Sequence, residues 1–260
     1  MLVGLVTVNA RQLRPATLTA YDRYIALTEA RLADEHRGAA PFLWIDRQPA
    51  SVRDRLMTRL RGGEVVVERL ETRDGGRAIS VPDGLIHHWV GTVALPGVSS
   101  NQVIAFVQDY DNYPRVFAPM IPSARVLDRT GDRFVVRMRT SVKKVITVVM
   151  DGDYTIEYHR VSPTRVWTSN VVAGLEQVSD AGTSTESKQA GDAASGYLWR
   201  FRMYCAFEER ADLSLEQCES ISLTRAAPFG VGWLIKPFIT GIPRDTIAFT
   251  LGQVRAGLVR

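Results

Sequence analysis

Gly196-Tyr-Leu-Trp-Arg-Phe-Arg-Met-Tyr-Cys-Ala-Phe-Glu-Glu209 is followed, after Arg210-Ala-Asp-Leu-Ser-Leu-Glu-Gln217, by Cys218-Glu-Ser-Ile-Ser-Leu-Thr-Arg225. Side chains alternate between the two faces of a strand, so each segment reads as one strand and Ala211-Asp212 as the turn between them. Tyr197, Trp199, Phe201, Met203, Cys205 and Phe207 share one side of the first strand, against Arg200, Arg202 and Glu208. In the second strand Leu215, Ile221 and Leu223 set the apolar side and carry Gln217, Glu219 and Arg225 with them. Cys218, Ser220 and Ser222 then point the other way. This phasing puts Cys205 and Cys218 on opposite faces and predicts two unpaired thiols.

Upstream lie further alternating segments at 123–129, 133–142, 145–158 and 164–175, joined by turn signals such as Thr130-Gly131-Asp132 and Ser162-Pro163. In 133–142 Phe134, Val136 and Met138 oppose Arg137 and Arg139. In 145–158 Ile146, Val148, Met150, Tyr154, Ile156 and Tyr158 oppose Asp151, Asp153 and Glu157. Ser179 to Ser195, rich in Ser, Ala, Gly and Thr, reads as a loop. Ahead of these, Ile86–Leu95 reads as a strand, and Ser99 and Ser100 offer N-caps to a helix bearing Val103, Ile104, Phe106 and Val107. The chain closes with a helix over 243–258, with Pro243 in its first turn and Ile247, Leu251, Val254 and Leu258 as its buried stripe.

A strand, two short helices, a run of antiparallel strands and one long final helix make the element order of the helix-grip fold. From about Leu85 to Leu258 the chain resembles the START-like superfamily, also called SRPBCC, which includes polyketide cyclase/dehydrase and Bet v 1-like proteins. The phrases that carry the resemblance are DYDNYPRVFAPMIPSARVL (109–127), GYLWRFRMYCAFEE (196–209), CESISLTR (218–225) and GWLIKPFITGIPRDTIAFTL (232–251). It implies an α+β domain over 85–260, a curved antiparallel sheet gripping the C-terminal helix. It also implies an internal cavity for a lipid or other hydrophobic small molecule. The cavity residues expected on the inward faces are Met150, Ile156, Tyr158, Tyr197, Trp199, Phe201 and Met203, with Glu219 and Arg225 as polar contacts. A charge buried there needs a partner, so a mutual or nearby ion pair is the structural alternative for those two.

Residues 1–84 lie outside the resemblance. Leu18, Tyr21, Ile25, Thr28 and Leu32 mark a helix over 15–37, and Val52, Leu56 and Leu60 a second over 49–61. A strand is expected at 64–71 and a tight turn at Asp74-Gly75-Gly76. About 80 residues make a small independent domain, so this region is expected to pack as an extension on the 85–260 domain. Met1–Ala10 is apolar and ends in the small-residue pair Val8 and Ala10. It reads either as a short strand or as the remnant of a signal peptide, which leaves a periplasmic or secreted location and a cytoplasmic one both open.

The 260 residues carry a formal charge of +4, with 45% hydrophobic and 23% charged residues. Cations and anions are interleaved, without the basic stripe that a nucleic-acid binder needs. His87 and His88 are adjacent in a strand and diverge, and no ligand spacing points to a metal or other cofactor. Three functional classes remain. The first is a non-enzymatic carrier of a hydrophobic ligand, with the apolar stretch Trp233–Ile239 as packing or as a lip that touches membranes transiently. The second is a cyclase/dehydrase- or hydrolase-type enzyme using Glu219, Tyr158 or His88 as acid or base. The third is a protein-interaction module.

Overall fold

The computed structural model describes residues 13–38, 40–143, 147–190, 198–226 and 232–259, with the backbone alone at 232–240. The chain opens with α1 (Pro15–His36) and α2 (Ala50–Arg61), separated by a single 3-10 turn at Trp44–Arg47. Then come β1 (Val66–Arg69), a small hairpin of β2 (Arg73–Asp74) and β3 (Arg77–Ala78), and β4 (Gly84–Leu95). Helices α3 (Ser100–Val107) and α4 (Tyr113–Val116) lead to β5 (Ser123–Thr130), β6 (Arg133–Lys143), β7 (Thr147–Ser162) and β8 (Arg165–Ser179). A short β9 (Ser187–Ala190), β10 (Leu198–Glu208), β11 (Ser214–Arg225) and α5 (Gly232–Leu258) complete the order.

One nine-stranded sheet runs β1-β4-β11-β10-β8-β7-β6-β5, with β9 added to β8. Every pairing in it is antiparallel. The long final helix lies across β4, β11 and β1 and touches α3. This is the START-like helix-grip architecture.

Local chemistry explains the elements that position the helices. Ser99 caps α3 in a reciprocal capping box with Gln102, satisfying amides that a helix start leaves free. Gly91 lets α5 approach β4, since a Cβ there would lie 2.7 Å from Leu251 Cδ1. Gly257 does the same where α5 meets Phe106 of α3.

The inner face of the sheet packs on α3 and α5 through Val93, Leu95, Phe134, Val136, Ile247 and Leu251. The outer face is covered by residues that precede β4. Tyr21, Tyr24, Ile25 and Leu32 of α1 pack on Trp199, Tyr204, Ile221 and Leu223. Phe42, Leu43, Ile45, Leu56 and Leu60 pack on Val66, Ala94 and Leu215. The N-terminal region therefore forms an apolar layer on the sheet and also supplies its edge strand, β1.

Two expectations change here, and two lie outside what is described. The final helix begins at Gly232 rather than 243, so Pro237 and Pro243 lie within it. Part of the expected loop at 179–195 is strand: Ser187–Ala190 pairs back on Glu176–Ser179. The apolar lip expected at Trp233–Ile239 is backbone helix, and its side chains lie outside the described residues, as do Met1–Ala10.

Candidate functional site: a pocket beneath the final helix

Between the inner face and α3, α4 and α5 lies a pocket of about 260 Å³. Its walls are apolar: Val107, Phe117 and Met120 on one side, Met138, Met150 and Ile156 along the sheet, and Ile247 and Val254 of α5. Of the residues expected from the sequence, Met150, Ile156, Tyr158, Phe201 and Met203 meet here. Tyr197 lies outside the described residues.

Trp199, Glu219 and Arg225 are not among the lining residues. The register of β10 on β11 shifts between Leu198 and Arg200, and such an irregularity resets the alternation. Leu198 enters the pocket, whereas Trp199 is 1% exposed within the outer apolar layer.

In β11 the phasing is the reverse of the sequence expectation. Leu215, Ile221 and Leu223 face the N-terminal layer, while Glu216, Cys218, Ser220, Ser222 and Thr224 face the pocket. Arg225 is half-buried at the strand's end, opposite Gly84. Every residue of β11 before Arg225 is buried, so both sides of the strand meet protein and alternation alone does not say which side meets α5. The side bearing Leu215, Ile221 and Leu223, with Gln217 and Glu219 between them, went to the packed layer, and the side without large apolar residues to the pocket.

That reversal also pairs the cysteines. Cys205 and Cys218 are directly opposed in the ladder and joined by a disulfide, with Cα atoms 4.0 Å apart. Both line the pocket. The expectation of two unpaired thiols is therefore overturned.

Glu219 is 1% exposed on the outer face, and its partners come from α1 and β4. It accepts from Arg31 and lies 2.6 Å from His88 Nε2. His88 Nδ1 lies 2.8 Å from Tyr24 Oη, which itself accepts from Thr72 N–H at 2.8 Å. Since the phenol oxygen already accepts from that amide, its proton is directed to Nδ1, leaving Nε2–H for Glu219. Burial alone would raise the Glu219 pKa, but the His88 hydrogen bond and the Arg31 guanidinium hold it below the usual range. Glu219 and His88 thus sit across the sheet from Tyr158, and the three candidate acid/base groups do not converge.

Glu216 is an ionisable pocket residue that the sequence reading missed. It is 5% exposed, and burial pushes its carboxyl up to about 7. Its Oε2 has no hydrogen-bond partner among the described residues, nor has Ser222 Oγ. Near it, Tyr110 and Tyr158 hydroxyls are 2.6 Å apart. Tyr113 and Tyr158 both donate to the Val107 carbonyl, at 2.7 and 3.2 Å. The Glu216-x-Cys218-x-Ser220-x-Ser222-x-Thr224 alternation was legible as a polar strand face; its destination was not. Among the described residues no cluster of His, Cys, Asp and Glu could hold a metal ion.

No protein-family model and no curated protein matches the chain. Among solved structures it is similar to a STAR-related lipid transfer protein fragment from Xanthomonas axonopodis, at 12% identity. That match covers 75% of this chain and 99% of that one, with a TM-score of 0.49. It is also similar to the Zhui aromatase/cyclase from Streptomyces sp. R1128, at 14% identity over 67% of this chain and 94% of that one, with a TM-score of 0.45. A START superfamily protein from Mycobacterium smegmatis matches at 12% identity over 67% and 96%, with a TM-score of 0.40. Likeness at this level says nothing about what this chain binds.

Proposed function

We propose that the chain binds and carries a hydrophobic small molecule or lipid in the pocket between the sheet and α5. The observation that supports this most directly is the division of labour between the two faces of β11. Leu215, Ile221 and Leu223 pack on the N-terminal layer, where Gln217 and Glu219 beside them have partners in Trp44 and Arg31. Glu216, Ser220, Ser222 and Thr224 border an apolar-walled pocket. Filled cores place polar groups against partners, because an unpartnered buried hydroxyl or carboxyl costs about 1–3 kcal/mol. Ligand pockets are instead apolar enclosures with a few placed polar groups. Glu216 Oε2 and Ser222 Oγ, buried and without protein partners among the described residues, fit the second description.

The test is native mass spectrometry of the protein as isolated, then after organic extraction and re-exposure to lipid extracts. A recovered apolar ligand that rebinds in one-to-one ratio is the expected result. A protein that returns only its own mass in every case refutes carriage. The Cys205–Cys218 disulfide favours folding in an oxidising compartment, since such bonds persist mainly in exported proteins, and so supports a periplasmic or secreted location.

A further inference from the structure

The pocket is almost wholly neutral. Glu216 is the single ionisable carboxyl among its described lining residues, and those residues include no Lys, Arg or His. The carboxyl is set deep in the ladder, opposite Phe207 of β10 and Val93 of β4. Its Oε2 is buried without a partner among the described residues. The nearby phenols do not supply one: Tyr113 and Tyr158 direct their protons to the Val107 carbonyl.

Aromatic side chains line the same pocket: the rings of Tyr110 and Tyr113 lie 5.0 Å apart and those of Tyr113 and Phe117 4.7 Å, measured between centroids. Tyr113 and Tyr158 both feel the Glu216 charge. A carboxylate among aromatic rings complements an organic cation twice, through the ion pair and through the negative ring faces. Above pH 7, where the carboxyl ionises, an anionic head group would meet a like charge and a neutral hydroxyl would leave the carboxylate without a counter-ion.

We propose that the pocket's ligand carries a basic amine, seated as an ammonium against Glu216 beside Tyr113 and Tyr158. This rests on the hydrophobic-ligand reading above and names the chemical class of that ligand. The buried carboxyl, held protonated up to about pH 7 by burial, would then ionise on binding because the ligand brings the missing counter-ion.

The experiment uses decylamine, decanol and decanoate, three head groups on one chain, each displacing a fluorescent apolar probe from the full-length protein at pH 8. Decylamine is expected to bind roughly tenfold tighter than decanol or better, with decanoate weakest. Glu216→Gln should erase the amine advantage, so that decylamine binds that variant no tighter than decanol does. Should that variant fail to fold, the wild-type protein decides: its amine advantage should shrink between pH 8 and pH 5.5, with decanol constant. If decanol binds and decylamine is no better, or if the advantage survives Glu216→Gln, the amine assignment is wrong and hydrophobic carriage stands. If neither the probe nor any of the three binds, the carriage reading fails and takes the amine with it.

Discussion

His88 Nε2 and Glu219 Oε1 are 2.6 Å apart and both almost fully buried, on the side of the sheet turned away from the pocket. With Tyr24 and Arg31 they tie α1 to β4 and β11, so the first helix is held on the sheet by a buried polar network as well as by apolar packing. Glu35 extends the network by accepting from both Arg31 and Arg47.

Breaking that network should cost stability and spare the pocket. Removing one member of a buried ion pair leaves its partners uncompensated, which typically costs 3–5 kcal/mol. Glu219→Gln should therefore lower the unfolding free energy by about that amount, read from urea midpoints, with probe binding by the folded protein unchanged. A loss of ligand binding without a loss of stability would place Glu219 at the pocket instead.

Stability should respond to pH in two opposed ways. His36 and His87 are both pushed down to about 4, chiefly by burial. Each is held neutral in the fold, so its contribution is complete above the unfolded value near 6.5 and lost as pH falls toward 4. Glu216 runs the other way: its folded value of about 7 exceeds the unfolded 4.5, so its contribution is complete below 4.5 and lost as pH rises to 7. Glu216→Gln should accordingly stabilise the ligand-free protein by on the order of 2–3 kcal/mol at pH 8 and have almost no effect at pH 4. Melts across that range check both statements, and an equal shift at both pH values would contradict them.

The disulfide makes a prediction of its own. Cys205 and Cys218 are 13 residues apart, a loop whose closure is worth about 3 kcal/mol in the chain-entropy account. The double variant Cys205→Ala/Cys218→Ala should lose roughly 2–3 kcal/mol. Unfolded wild-type protein should show no reactive thiol until reductant is added. Two titratable thiols in unreduced protein would restore the unpaired reading.

Phe201 tests whether its wall is pocket or core. Replacing it by Trp adds volume, and in a filled core that costs about 1–3 kcal/mol. Phe201 borders the pocket, so Phe201→Trp should lower ligand uptake several-fold while shifting stability by less than about 1 kcal/mol. Thermal melts with and without ligand separate the two cases: marked destabilisation with no loss of uptake would mark this face as packed core.

Part of the pocket wall is legible in the sequence. In β7 a charged face opposes an apolar one, so alternation correctly sends Met150, Ile156 and Tyr158 to one side. In β10 the same rule holds for Phe201 and Met203 and fails at Trp199, where the register shift turns the strand over. No residue type announces that irregularity.

By itself the sequence determined the order of the main elements, β9 excepted, because hydrophobic period, caps and turn residues are local properties. Ser99 and Gln102 start α3 and alternating Phe, Val and Met build β6, whatever else the chain does. Only the tertiary structure decided which face of β11 meets the pocket. A strand buried on both sides obeys the period of two in either phase. The choice between Glu216 and Glu219 as the pocket's acid was made by α1 and α2, distant in sequence, whose apolar stripes claimed Leu215, Ile221 and Leu223. Burying those side chains against the N-terminal layer turned Glu216, Cys218 and Ser222 inward, and with them came the disulfide and the pocket's polar groups.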